Sequence, residues 1–199
     1  LAEWATTAPE MEEDIALANI ALDQLGAARL LLSYAAELMT AAGLAPPDGG
    51  PGPVTEDSLA FLRDDREFRN CLLVELPNGD FGHTVVRLLL LAAYQVPLYT
   101  ALAAGPDPRL AALAAKARKE SAYHLDHGAL WTIRLGDGTE ESHRRMQAGL
   151  ERMWPYVAEM FGSDDLERSL AADGVAVDVS TLRAEWDAYV DAVLREATL

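Results

Sequence analysis

Hydrophobic residues recur every three or four positions from residue 11 to residue 42, and no proline interrupts them. This period predicts an α-helix. The apolar residues extend nearly all the way round the helix, so we expect it to lie at the centre of the fold. Pro9 separates it from a shorter preceding helix that includes Trp4.

Five further helical patterns follow along the chain, and several begin at a residue that commonly caps helices. Thr55, Thr139 and Ser180 are the expected caps of three of them. Pro155 should kink one helix without ending it. The five predicted helices span residues 56–70, 81–104, 107–135, 140 to beyond 155, and 181–199.

Glycine and proline separate these helices. Residues 43–53 hold four Gly and four Pro, which predicts an exposed loop, and turns are expected at 77–80, 105–108 and 136–138. Residues 174–179 are the only stretch with a short β-like pattern. Long helices with short connections predict an all-α fold, a ferritin-like antiparallel helical bundle of long helices with short extra helices. A chain of 199 residues should form a single domain, 1–199.

Composition narrows the possible partners and compartment. The chain has 16 Lys and Arg against 32 Asp and Glu, a formal charge of −16 that would repel nucleic acids and anionic membranes. Cys71 is the only cysteine, so nothing indicates an oxidising compartment, and we expect a cytoplasmic location. No run of 18 apolar residues and no signal peptide is evident. The first residue is not methionine, and we expect trimmed ends.

The strongest chemical signal lies in the helix predicted over residues 107–135. Di-metal helical bundles use Glu-x-x-His pairs, because residues three apart share a helix face. Residues 119–124 read K-E-S-A-Y-H, so the position three before His124 is Ser121. Glu120 and His127 lie within one turn of His124, and a metal site built from these residues is one interpretation. A hydrogen-bonded polar seam inside the bundle is the other.

Other polar residues are less specific. Asp23, Gln24 and Arg29 interrupt the apolar helix 11–42, where they would bond across the bundle or face a partner chain. His83 and His143 fall near helix starts and should lie at the surface. The chain has no phosphate-binding glycine loop, zincin motif or nucleophile elbow.

Longer strings in both halves of the chain resemble the di-iron family of phenylacetate degradation. They include L-V-E-L-P-N-G-D-F at 73–81, K-E-S-A-Y-H-L-D-H-G at 119–128 and G-V-A-V-D at 174–178. The similarity spans essentially the whole chain and is greatest to a non-catalytic subunit. Resemblance implies an assembly that epoxidises the ring of phenylacetyl-CoA with oxygen, using electrons from NADPH.

The catalytic subunits of that family hold two irons, and their ligand positions can be transferred to this sequence. The first glutamate corresponds to Glu3, and the first Glu-x-x-His pair falls on Gln24 and Ala27. The second pair falls on Ser121 and His124, and the remaining carboxylate position, near residues 91–93, has no acid. The resemblance therefore implies a vestigial centre with no metal, in which Glu3 could pair with a protonated His124 or with another cation nearby.

We therefore expect a structural subunit without catalytic residues or a cofactor of its own. Its expected partner is the homologous di-iron catalytic subunit, together with small bridging and reductase subunits, and neither nucleic acid nor membrane. Two alternatives remain. One is a stand-alone metal-binding oxidoreductase that uses Glu3, Glu120, His124 and His127 in a rearranged site. The other is a self-assembling helical scaffold.

Overall fold

The computed structural model describes all residues, 1–199, and all of its regular elements are helical. Eight α-helices and five short 3-10 helices follow one another, which confirms the predicted all-α bundle. The α-helices are α1 (Met11–Ala41), α2 (Glu56–Phe61), α3 (Leu72–Glu75), α4 (Phe81–Ala103), α5 (Pro108–Gly136), α6 (Glu140–Met153), α7 (Asp165–Ala172) and α8 (Arg183–Glu196). The 3-10 helices are Ala2–Trp4, Asp65–Glu67, Trp154–Tyr156, Ala158–Phe161 and Val179–Leu182.

The chain forms two compact units, and their boundary falls inside α1. The first unit comprises Leu1–Ile20 and Cys71–Leu199, and the second comprises Ala21–Asn70. The single domain expected from chain length stays a prediction.

Helix α4 is the centre of the first unit. Its buried residues include Val86, Leu89 and Leu90, and it packs against α5, α6 and α8. At Gly128 of α5 the backbones come so close that a Cβ atom would lie 3.1 Å from the Leu89 nitrogen. The prediction that helix 11–42 is central is therefore wrong. A helix that is buried on most of its sides is hydrophobic all round wherever it lies in the fold, so nearly uniform hydrophobicity does not identify the central helix.

Several predicted helix boundaries also need correction. Thr55 and Thr139 cap α2 and α6 as expected, each through a reciprocal capping box. Helix 56–70 instead stops at Phe61, because Asp64 begins a separate 3-10 turn. Asp178, and not Ser180, caps the turn that precedes α8.

Two further expectations concern the C-terminal half. The helix that begins at Glu140 ends as α-helix at Met153, and the stretch containing Pro155 continues it in 3-10 form. Residues 174–179 form no strand, so that expectation is wrong. The backbone N–H groups of Val175 and Ala176 both donate to the Leu170 carbonyl, which closes the end of α7.

The second unit has a much smaller core. Ala36 of α1, Val54 of the connecting loop and Leu59 of α2 are its buried apolar residues. Residues 43–53 form no helix or strand, as predicted. Arg29 donates to the Glu56 carboxylate at 2.8 and 3.0 Å, and the Ser33 hydroxyl donates to the same carboxylate. These bonds join α2 to α1 in a unit that has few buried apolar residues.

Two helices have the length and hydropathy of a membrane span. They are α1 and α4, with 11% and 44% of the most apolar window buried. Core helices of soluble proteins satisfy the same criteria, so this is weak support for a membrane span. For α4 the burial among neighbouring helices accounts for its composition.

Candidate functional site

The buried polar residues of α5 follow one face of the helix. Ser121 and His124 are each 2% exposed, and Thr132 is fully buried further along. Residues three and four apart lie above one another on a helix, so these side chains form a polar seam within an apolar surface. Ser121 therefore occupies an interior position, where the di-iron pattern would require a carboxylate.

A row of buried residues also follows one face of α1, and it begins with an acidic residue. Glu13, Leu17 and Ile20 are buried and are spaced by four and three residues, the period of one helix face. Gln24 and Ala27 continue the same spacing along α1, in the second unit, where both are half-buried. The two positions that the resemblance assigns to the first Glu-x-x-His pair thus share a register with Glu13.

The first unit joins a carboxylate of α1 to an imidazole of α5. Glu13 Oε2 lies 2.9 Å from His127 Nε2. The glutamate is 6% exposed and the histidine side chain is 23% exposed. A carboxylate this deeply buried requires a hydrogen-bonding partner, and His127 supplies one. Sequence reasoning considered His127 but missed Glu13, although its spacing to Leu17 and Ile20 was a usable signal.

Glu3, the other predicted carboxylate, has a different partner. It is exposed, and its Oε2 accepts a hydrogen bond of 2.5 Å from Asn78 Nδ2. The Asn78 Oδ1 in turn accepts from Arg87, which also donates to the carbonyls of Leu76 and Pro77. The suggested pairing of Glu3 with buried His124 is thus replaced by a contact with the turn before α4.

The neighbouring indole completes the attachment of this N-terminal segment. Trp4 Nε1 donates to Thr84 Oγ1 at 2.8 Å, and its ring meets the Phe81 ring edge-on at a centroid distance of 5.7 Å. Phe81 contacts Trp131 of α5 in the same way at 5.3 Å. The string L-V-E-L-P-N-G-D-F therefore builds a structural joint between the N-terminal segment, α4 and α5.

The residues considered for a rearranged metal site do not come together. Glu120 pairs with Lys116 one turn earlier on α5, and Glu3 bonds to Asn78. No group of three or more His, Cys, Asp and Glu side chains is positioned to hold a metal ion. The donor set thus fits neither a di-iron centre nor a single metal bound by the four proposed residues.

The other histidines hold local structure. His83 Nδ1 lies 2.7 Å from Asp80 Oδ1, and its side chain is 17% exposed, so it is half-buried at the start of α4. Burial by itself would raise the pKa of Asp80, but hydrogen bonds from the His83 side chain and backbone N–H lower it below its ordinary value. His143 Nδ1 contacts the Gly136 carbonyl at 2.8 Å and joins the start of α6 to the end of α5.

An aromatic cluster surrounds Trp186 of α8 and contacts α4. Trp186 is 1% exposed, donates to the Leu90 carbonyl at 2.9 Å and contacts the rings of Phe161 and Trp154. Tyr94 meets Phe161 edge-on, and burial raises its pKa to about 12. Of the four aromatic residues weighed as core or interface, Trp131, Tyr156 and Trp186 contribute to the core and Trp154 is 41% exposed.

Comparison with known proteins places these features in a family. Residues 1–199 match the family described as phenylacetic acid catabolic protein. The chain is also 48% identical over 199 residues to one of the subunits of 1,2-phenylacetyl-CoA epoxidase from Escherichia coli (strain K12). That similarity covers 100% of this chain and 75% of the Escherichia coli protein. The chain belongs to the phenylacetic acid catabolic protein family.

Proposed function

We propose that the chain is a non-catalytic structural subunit of a phenylacetyl-CoA epoxidase, which pairs with the homologous di-iron subunit and stabilises it. The similarity over the full chain to a protein named as one subunit of that enzyme supports this assignment. Membership in a phenylacetic acid catabolic family is consistent with the same pathway. On this proposal the assembly works in the cytoplasm.

The observation that carries the non-catalytic role is the interior of α5. Ser121 is buried, and the resemblance assigns its position to a ligand carboxylate; a hydroxyl cannot replace the negative charge that two irons require there. Gln24 and Ala27 remove a further carboxylate and imidazole. Clustered carboxylates in a bundle repel one another unless a metal offsets their charge, so their loss from a subunit without metal favours its folding.

The di-iron cofactor would then reside in the partner, where it supplies the oxygen chemistry of epoxidation. The present chain contributes packed helical surface to the assembly. Its Glu13–His127 pair and its polar seam would preserve the helix arrangement of a metal-binding ancestor without its reactivity.

Two rival functions give different results in a single set of measurements. A metal-dependent enzyme would bind iron or manganese in nearly stoichiometric amount and lose it when His124 is changed to Ala. A self-assembling scaffold would form a homo-oligomer and ignore the di-iron subunit. A structural subunit should contain far less than one metal ion per chain and should co-elute with its partner.

The test is co-expression of the chain with the di-iron subunit in iron-supplemented medium, followed by size-exclusion chromatography and metal analysis of each peak. We expect a joint peak that contains iron, and little iron in the chain purified alone, so that the iron of the joint peak belongs to the partner. Separate elution at micromolar concentration would refute the pairing. Iron in the isolated chain that depends on His124 would refute the non-catalytic role.

A further inference from the structure

Residues 54–62, which we call the strap, lie against the second half of α1. They comprise the end of the connecting loop and helix α2. The α1 residues that contact the strap are spaced by four, three and four positions, so they form one row along the helix. They are Arg29, Ser33, Ala36 and Thr40. These contacts of the strap therefore lie on one face of one helix.

One carboxylate makes most of the polar contacts between the strap and α1. Glu56 accepts two hydrogen bonds from Arg29, at 2.8 and 3.0 Å, and a third from the Ser33 hydroxyl. The hydrogen bonds from Ser33 and Arg29 lower the pKa of Glu56 below its ordinary value, so the carboxylate is charged at neutral pH. Thr40 Oγ1 also donates to the Val54 carbonyl, but at 3.4 Å this bond is longer than usual. Glu56 is thus the main polar attachment of the strap.

Little apolar packing supports this attachment. The second unit buries three apolar residues, whereas the main cluster of the first unit contains nineteen. A cleft of about 580 Å³ also lies between α1 and the strap, and its lining includes Ala36, Val54 and Thr55. Apolar surface that faces an open cleft is not removed from water, so it adds little to the stability of the closed position.

The connections on both sides of the strap contain no long element. Residues 43–53 form no helix or strand. After the strap, α2 has ended at Phe61 and the chain continues through the separate 3-10 turn Asp65–Glu67. Hinges are usually a few loop or element-terminal residues that absorb the change in backbone angles. The strap can therefore leave α1 without unfolding a longer helix.

We propose that the strap opens from α1 as one unit while the first unit stays folded, and that release of Glu56 from Arg29 and Ser33 is the opening step. Local opening is expected where few apolar residues are buried and hydrogen bonds are open to water, and the Arg29 side chain is 68% exposed. Opening uncovers Ala36 and Leu59, which are buried in the closed form. The proposal is independent of the pairing proposed above, because every contact belongs to this chain.

Thiol labelling of the full chain measures this opening. In a Cys71→Ser background, Leu59→Cys places a thiol on the strap, and Leu125→Cys places one in the core of the first unit at the same exposure, 8%. We expect the Leu59→Cys variant to react with a disulfide reagent at least about 100-fold faster, because its thiol becomes accessible without global unfolding. Adding Glu56→Gln removes the charge and keeps the size of the side chain. It should accelerate the Leu59→Cys reaction about 10-fold and leave the Leu125→Cys reaction unchanged.

Hydrogen exchange followed by mass spectrometry is the second measurement, because it needs no substitution in the core. The backbone N–H groups of Leu59 and Leu62 donate within the strap, to the carbonyls of Thr55 and Ser58. In the unsubstituted chain these groups should exchange at least about 100-fold faster than those in the middle of α4. Glu56→Gln should accelerate exchange in the strap alone. The control Glu120→Gln, which weakens a pair with Lys116 on α5, should leave exchange in the strap unchanged.

Several results would overturn the proposal. Equal labelling rates for Leu59→Cys and Leu125→Cys would show that the strap opens only when the whole chain unfolds. If Glu56→Gln accelerates both reactions equally, or neither, Glu56 does not control a separate opening. If circular dichroism shows that the Leu59→Cys variant does not fold, hydrogen exchange of the unsubstituted chain decides, and protection of the strap equal to that of α4 refutes the opening.

Discussion

Replacing His127 by alanine should destabilise the chain by about 2 kcal/mol, because it leaves the Glu13 carboxylate without its imidazole partner. Removing one member of a fully buried pair costs about 3–5 kcal/mol. Glu13 is 6% exposed, but the His127 side chain is 23% exposed, so water can replace part of the lost interaction. Glu13→Ala should cost less, since no buried charge then remains.

The measurement is a double-mutant cycle by urea unfolding at pH 7, followed by far-ultraviolet circular dichroism. The free energy of unfolding of the double variant Glu13→Ala/His127→Ala should exceed the additive value by about 1–2 kcal/mol. Lys116→Ala is the control on the same helix, because it breaks a pair with Glu120 that is worth about 0.3–0.5 kcal/mol.

Additivity of the two single substitutions within about 0.5 kcal/mol would refute the reasoning, since contacting residues that stabilise each other must couple. A change in the slope of unfolding against urea would instead show that the variants alter the compactness of the unfolded state.

Four further substitutions test other parts of the fold. Gly136→Ala should destabilise the chain by at least about 2 kcal/mol and lower its melting temperature, because the new Cβ would lie 2.4 Å from the Ala197 carbonyl oxygen. Gly26→Ala should instead stabilise the chain by about 0.5–1 kcal/mol, because its Cβ would meet no atom within 4 Å. Asp80 has a lowered pKa, so the stability it provides is present above the pKa of the unfolded chain, near 4, and is lost as the pH falls further. In urea titrations the Asp80→Asn variant should be less stable than the wild type at pH 7 and should lose less stability between pH 5 and pH 3. An equal loss of stability in the two proteins would contradict the assignment. Tyr94 has a pKa raised to about 12, so its contribution to stability is complete below the ordinary tyrosine pKa near 10 and is lost as the pH rises through 12. Tyr94→Phe should therefore reduce the loss of stability at alkaline pH, measured by circular dichroism. The same loss with pH in the variant and the wild type would contradict this role of Tyr94.

The sequence was sufficient to predict the helical class and most connections, because capping residues, glycine and proline act locally. The capping boxes at Thr55 and Thr139 are contained within four consecutive residues each. The position of α1 was not predictable in this way. A hydrophobic helix surface is expected to be buried, but hydrophobicity does not show whether the residues that bury it belong to the same chain.

The candidate site was predicted only in part. Ser121 and His124 are interior residues of α5, as the helical period indicates. The contact between Glu13 and His127 joins residues 114 positions apart, and no local pattern encodes the relative rotation of two helices. Glu3 illustrates the opposite error, because a position matched by spacing alone proved to bond to the Asn78 turn.

The joint at Asn78 also has a consequence for the ageing of the protein. Asn78 is followed by Gly79, and asparagine before glycine is prone to deamidation, because a residue without a side chain does little to hinder attack of its backbone nitrogen on the amide carbon. Here the amide is held at both ends, by Glu3 at 2.5 Å and by Arg87 at 3.0 Å. Conversion to aspartate would set a second carboxylate against Glu3. The bonds that hold the N-terminal segment therefore also restrain the Asn78 side chain from deamidation for as long as that segment stays in place.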